Sequence, residues 1–199
     1  MYPLLETIKC NDGKLFNMEF HQARFEKAQE EYFGITPQIN LFDKIEIPEF
    51  AKKGLFRCRV TYSKKIEKIE FIPHQYREIK SLKLVEDDEI DYHFKYADRE
   101  RLQKLFEKRA GCDDIIIIKN GCITDSFTAN LIFFDGKKWF TPDTPLLHGT
   151  QRTKLLFEKQ IFECRLTVAD IKKYEKVGLI NAMQDFENKQ IIYSQNIRF

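Results

Sequence analysis

No run of about 18 apolar residues, the length a helix needs to cross a bilayer, occurs in this 199-residue chain. The amino terminus lacks the charged-then-apolar pattern of a secretion leader, so a cytoplasmic protein without membrane contact is expected. Cysteine is sparse and unpatterned. Cys10, Cys58, Cys112, Cys122 and Cys164 form no CxxC pair, which excludes a metal-finger spacing, and their odd number points to reduced thiols. His21, His74, His93 and His148 make no HxxxH pair, so no metal site is expected. Neither sign of charge is in excess: 33 basic and 31 acidic residues leave a net +2, which gives no basis for a nucleic-acid partner. Internal repeats and low-complexity tracts are absent.

What is present is enough for a buried core. Apolar residues make up 43% of the chain, with 18 Phe and 8 Tyr. The length suits one large or two small domains. Leu4–Cys10 reads as a strand, Asn11-Asp12-Gly13 as its turn, and Leu15-Phe16 as a short return. From Glu19 the pattern turns helical through Phe20, Ala23, Phe25, Ala28 and Tyr32, until Gly34 and Pro37 end it. Leu55–Tyr62 is a strand whose Arg57 and Arg59 fall on one face, because strand side chains alternate. Lys64-Lys65 turns it into the return strand Ile66–Ile72. Pro73–Ser81 is polar and reads as a linker, dividing an N-terminal domain (1–75) from a C-terminal one (82–199). Beyond it, His93–Arg99 leads into a helix carrying Leu102, Leu105 and Phe106.

The most informative stretch runs from Gly121 to Arg152. An apolar run that begins at Ile115 is broken by Thr124-Asp125-Ser126. Asn130 then opens a second apolar run, Leu131–Phe134, which ends at the Asp135-Gly136 turn. Trp139-Phe140-Thr141 returns, Pro142 stops it, and Gly149-Thr150 precedes a helix expected from Arg152 to about Phe162. A carboxylate between two strands and a Gly-Thr at a helix start are the parts that a phosphate-bearing cofactor needs.

This ordered set resembles the class IV aminotransferases, pyridoxal 5'-phosphate (PLP) enzymes of fold type IV. That family includes branched-chain and D-amino acid aminotransferases and 4-amino-4-deoxychorismate lyase. The shared frame is Gly121…Thr124-Asp125, Asn130-Leu131-Ile132-Phe133, Thr141-Pro142 and Leu147-His148-Gly149-Thr150-Gln151-Arg152. Upstream, Glu6-Thr7-Ile8 followed by His21-Gln22-Ala23-Arg24 matches the family's opening. The resemblance implies an α+β, two-domain fold of the D-amino acid aminotransferase type. The chain begins where a glycine-rich loop of most members ends, so the architecture expected is N-terminally shortened.

The resemblance also implies roles. Lys95, ahead of Asp98-Arg99 and a helix, is the expected cofactor-bearing lysine, with Lys80 and Lys119 as alternatives. The bulky neighbours Phe94 and Tyr96 are expected to desolvate it in part. Arg24 would bind the cofactor phosphate together with the turn at Gly149, Thr150 and Gln151. Asp125, where most members have glutamate, would face the pyridine nitrogen, supported by Asn130. Asn181 and Ala182 stand where many aminotransferases of the family have a phosphate-binding Ser-Gly-Thr. Thr7 and Asn181-Ala182 favour the lyase branch, which makes 4-aminobenzoate and pyruvate. An aminotransferase, or a PLP-binding protein without turnover, are the alternatives. Arg57, Arg59 and Tyr62 are the expected contacts of a small-molecule amine substrate, although Tyr62-Ser63 replaces a frequent Arg-Gly. A homodimer is expected.

Overall fold

Alternation of apolar and polar side chains makes Leu4–Asn11 the first strand, β1. In the computed structural model, which describes all of Met1–Phe199, its turn uses left-handed Asp12 and Gly13 (φ 47° and 73°). That geometry suits a two-residue hairpin, and it leads into β2 (Lys14–Leu15). The helix α1 spans Met18–Glu31 and a short α2 spans Leu41–Lys44. Strands β3 (Leu55–Tyr62) and β4 (Ile66–Pro73) complete an antiparallel sheet in the order β2-β1-β3-β4.

The chain divides into two compact units. The first comprises Met1–Tyr76 and Phe94–Asp98. Its core gathers Leu4, Ile8, Cys58, Val60 and Tyr62 from one face of the sheet with Phe25 and Ala28 of α1. Segment 94–98 joins it through backbone bonds: the Leu5 amide donates to Lys95 O (2.8 Å) and the Ala97 amide to Pro3 O (2.9 Å). Phe94 and Tyr96 pack around Tyr32, with ring centroids 5.0 and 5.8 Å away. This corrects the expected division at two points. Residues 94–98 belong to the first unit, and residues 77–81 are not a free linker. Ile79 is buried in the second unit's core, and the Lys80 and Ser81 amides donate to Asp113 Oδ2.

The second unit comprises Arg77–His93 and Arg99–Phe199. Strand β5 (Leu82–Glu86) lies parallel to β6 (Asp114–Lys119), with α3 (Glu100–Glu107) between them in sequence. Parallel neighbours require such a crossover. β7 (Cys122–Ile123) returns against β6. A second sheet holds β8 (Asn130–Phe134), β9 (Trp139–Pro142), β10 (Phe162–Cys164), β11 (Lys176–Ile180) and β12 (Gln190–Tyr193) in the order β10-β9-β8-β11-β12. β13 (Ile197–Arg198) edges the first sheet beside β5. Between β9 and β10 runs α4, Thr150–Phe157. It is shorter than expected: Lys159 turns left-handed (φ 56°), and Phe162 belongs to β10. Leu131, Phe133, Val177 and Leu179 form one core with Leu82, Ile116 and Ile118, while Ile132 and Ile180 pack on Leu155 of α4. No helix is long and apolar enough to cross a membrane.

Candidate functional site

In the first unit, the core-facing side of β1 carries one charged residue. Glu6 has no solvent exposure. Its carboxylate accepts from Arg24 Nε (2.9 Å) and Nη2 (2.6 Å) and from His21 Nδ1 (2.5 Å), both residues lying on α1. Burial alone would raise its pKa. The Arg24 charge and the His21 hydrogen bond outweigh that and hold it at about 2. Burial pushes His21 downward, against the pull of Glu6, and the Arg24 and Lys95 charges act in the same direction as burial. Glu6 is therefore ionised beside a neutral imidazole, and it sets the plane of the Arg24 guanidinium. The half-buried Lys95 lies close enough to act on His21, so Lys95, Arg24, His21 and Glu6 occupy one neighbourhood.

The opposite face of the same sheet holds Thr7 and the two arginines. Thr7 pairs across to Arg59, which pairs to Glu70; Lys9 pairs to Arg57, which pairs to Ile72. Tyr62 does not join them. It has the opposite parity along β3, is 1% exposed, and packs on Phe25 at 4.6 Å. Its place in the core separates it from the substrate contacts expected of it.

In the second unit, Asp125 sits just beyond β7 and bridges to Asn130 at the start of β8. Oδ1 accepts from Asn130 Nδ2 (2.7 Å) and Oδ2 from the Leu147 amide (2.9 Å). Asn130 also donates to Leu147 O (2.9 Å). A Cβ on Gly149 would lie 2.0 Å from Asn130 Oδ1, so glycine is required there. Burial raises Asp125 to about 6, against the lowering effect of its hydrogen bonds and of Arg152. Gly149 caps α4, and Thr150 and Gln151, both buried, form its first turn. The amino end of a helix carries partial positive charge. Asn181 builds a turn: its Oδ1 accepts from the Met183 and Gln184 amides, and its Nδ2 donates to Thr128 O (3.3 Å). Ala182 is part of that turn.

For three residues the structure adds contacts that the sequence does not show. Arg152, 2% exposed, donates to Thr141 Oγ1, Pro142 O and Glu163, and thereby ties α4 to β9 and β10. Arg99 donates to Phe127 O (2.5 Å) and lies 4.5 Å over its ring, bracing the loop between Asp125 and Asn130. Glu6 had one signal in the sequence, a carboxylate alternating with Leu4, Ile8 and Cys10 on an otherwise apolar strand face. A separate cavity of about 450 Å³ is lined by Leu84, Glu86, Ile118 and Thr167 among others, and none of the expected site residues borders it.

Residues 92–186 match the family described as amino-transferase class IV. An uncharacterized protein of Haemophilus influenzae is 43% identical over 185 residues, covering 92% of this chain and 98% of that protein. A Haemophilus somnus structure, provisionally described as a 4-amino-4-deoxychorismate lyase, is 36% identical with a TM-score of 0.88, covering 94% of this chain and 98% of that one. A hypothetical aminotransferase from Mycobacterium tuberculosis, solved in a PLP-bound form, shares the fold at 16% identity and a TM-score of 0.77, over 96% of this chain and 80% of that one. The chain belongs to the class IV aminotransferase family and has the fold of the type IV PLP enzymes.

Proposed function

We propose that this protein is a PLP-dependent lyase that splits 4-amino-4-deoxychorismate into 4-aminobenzoate and pyruvate. The observation that carries this reading is the 36% identity to the Haemophilus somnus protein over 98% of its length. Thr7 and the Asn181-Ala182 turn support the same branch. The donor set suits the cofactor. Asp125 is a buried carboxylate whose hydrogen-bond donors, Asn130 and the Leu147 amide, are neutral, which leaves it suited to a cationic ring nitrogen. Arg24 offers a guanidinium already oriented by Glu6, and α4 offers the amides of its first turn; both suit a phosphate.

When bound, PLP supplies an electron sink conjugated to the carbon that bears the substrate amine. Lys95 would carry the cofactor and, once released, take the proton from that carbon as general base. Asp125 would keep the ring nitrogen protonated. Arg24, with Gly149, Thr150 and Gln151, would hold the phosphate. Thr7, Arg57 and Arg59 would orient the acidic substrate. We include a homodimer in this reading.

The test is a coupled assay on 4-amino-4-deoxychorismate, run beside a panel of amino acids and keto acids. Equal amounts of pyruvate and 4-aminobenzoate are expected. Amino-group exchange on the panel without those products would make the protein an aminotransferase. PLP binding without either activity would make it a binding protein.

A further inference from the structure

Between Asp125 and Asn130 the chain makes a tight turn, with the Ser126 amide bonded to Ala129 O (2.8 Å) and the Ala129 amide to Ser126 Oγ (3.1 Å). Phe127 of that turn is gripped at every group it offers. Its amide donates to Asp114 Oδ1 (3.3 Å), and its carbonyl accepts from Arg99 Nη2 (2.5 Å). Its ring stacks on Phe106 at 4.3 Å and lies under the Arg99 guanidinium at 4.5 Å. Next to it, Thr128 O accepts from Asn181 Nδ2. Asp114 has no solvent exposure. Its Oδ1 is shared between the Ile115 and Phe127 amides, while Oδ2 has no hydrogen bond and Arg77 Nη2 stands 3.7 Å away. A buried carboxylate oxygen without a donor costs stability. A turn held for stability alone has no need of it, because apolar packing of the same shape is often at least as stable. What Asp114 adds is a fixed direction for the Phe127 amide.

We propose that Arg99 and Asp114 are positioning residues for Asp125, acting through Phe127. The chain before Asp125 is fixed by the sheet, the Ile117 amide donating to Asp125 O (2.8 Å). The chain after it leaves the sheet, and its anchor on α3 and β6 is Phe127, through Phe106 and Asp114. The Asp125 carboxylate meets Asn130 Nδ2 and the Leu147 amide at 2.7 and 2.9 Å. A turn free to shift would lengthen those bonds and admit water. The inference rests on the reading above only for what Asp125 faces, a ring nitrogen; the grip itself is independent of the cofactor.

The experiment follows the Asp125 carboxyl carbon by NMR through a pH titration of the cofactor-free, full-length chain. The groups that act most strongly on it besides burial are Asn130, the Leu146 and Leu147 amides and the Arg152 charge. The parent should titrate at about 6. Water reaching Asp125 lowers its midpoint, whereas the mere loss of a nearby cation raises it. Arg99→Met should therefore move the midpoint down by at least about half a pH unit. Phe127→Leu, which changes no charge, should move it the same way. Asp114→Leu should lower it further than Asp114→Asn, because both remove the charge but only Asn keeps an acceptor for the Phe127 amide. Ile192→Val, which opens the same core at β12, should leave it unchanged. An upward or absent shift in folded Arg99→Met and Phe127→Leu proteins would overturn the proposal. An equal downward shift in Ile192→Val would reduce the grip to a stability feature and overturn it too, and equal midpoints in the two Asp114 variants would remove Asp114 from it. Because no cofactor is present, failure here leaves the lyase reading standing, and loss of that reading leaves the grip standing.

Discussion

Asp125 and Glu6 are both buried carboxylates, yet their partners drive their acidities apart. Glu6 is held at about 2 by a bidentate arginine and a histidine, whereas Asp125, with neutral donors, is raised to about 6 by burial. The two have opposite signs in stability. Glu6 contributes stability above its unfolded value of about 4.5, and this is lost as pH falls toward 2. Asp125 contributes stability below its unfolded value of about 3.8, and this is lost as pH rises through about 6. Urea unfolding of cofactor-free protein should therefore show a component that weakens between about pH 4 and 6, worth at most ~2–3 kcal/mol. It should be absent from Asp125→Asn. An unchanged pH profile in that variant would remove the basis for the raised value. In the loaded protein, Asp125→Asn should retain PLP but lower turnover at least about a hundredfold, the scale of one lost preorganised electrostatic partner. Arg24→Ala should instead weaken PLP binding and recover activity at high cofactor, as measured by PLP titration and turnover at saturation.

At the scale of elements, the link between β8 and the start of α4 positions Asp125. Gly149→Ala would push a methyl into Asn130, whose Oδ1 lies 2.0 Å from the added carbon. Overpacking of this kind costs about 1–3 kcal/mol. Chemical denaturation should show that loss, and an Ala variant as stable as the parent would contradict the packing described. Much of this element pattern was legible in the sequence. The β3–β4 hairpin, the Asp135-Gly136 turn and the Asn130 strand start follow from alternation and turn residues. The spacing of Leu155, Leu156, Lys159 and Phe162 predicts a helix to about Phe162, whereas α4 ends at Phe157. The left-handed Lys159 that ends it is a backbone choice without side-chain periodicity. Tyr62 stands where the family often has an arginine, which makes it an expected substrate contact beside Arg57 and Arg59, but strand parity places it on the other face.

For the whole molecule, the least legible feature was the return of residues 94–98 to the first unit. It rests on backbone hydrogen bonds to Pro3 and Leu5, some ninety positions away in sequence, and such bonds leave no local pattern. The buried role of Glu6 was half visible, since a carboxylate on an apolar strand face requires partners but does not name them. The expected assembly is a homodimer. Light scattering at micromolar concentration should give twice the chain mass of 23.8 kDa, and a fully active monomer would contradict it. The central claim, that this chain works through PLP carried on Lys95, is tested most directly by borohydride reduction of the cofactor-loaded protein followed by peptide mapping. The pyridoxyl group should appear on the peptide containing Lys95, and Lys95→Ala should abolish it. Labelling confined to Lys80, Lys119 or any other lysine would contradict the account.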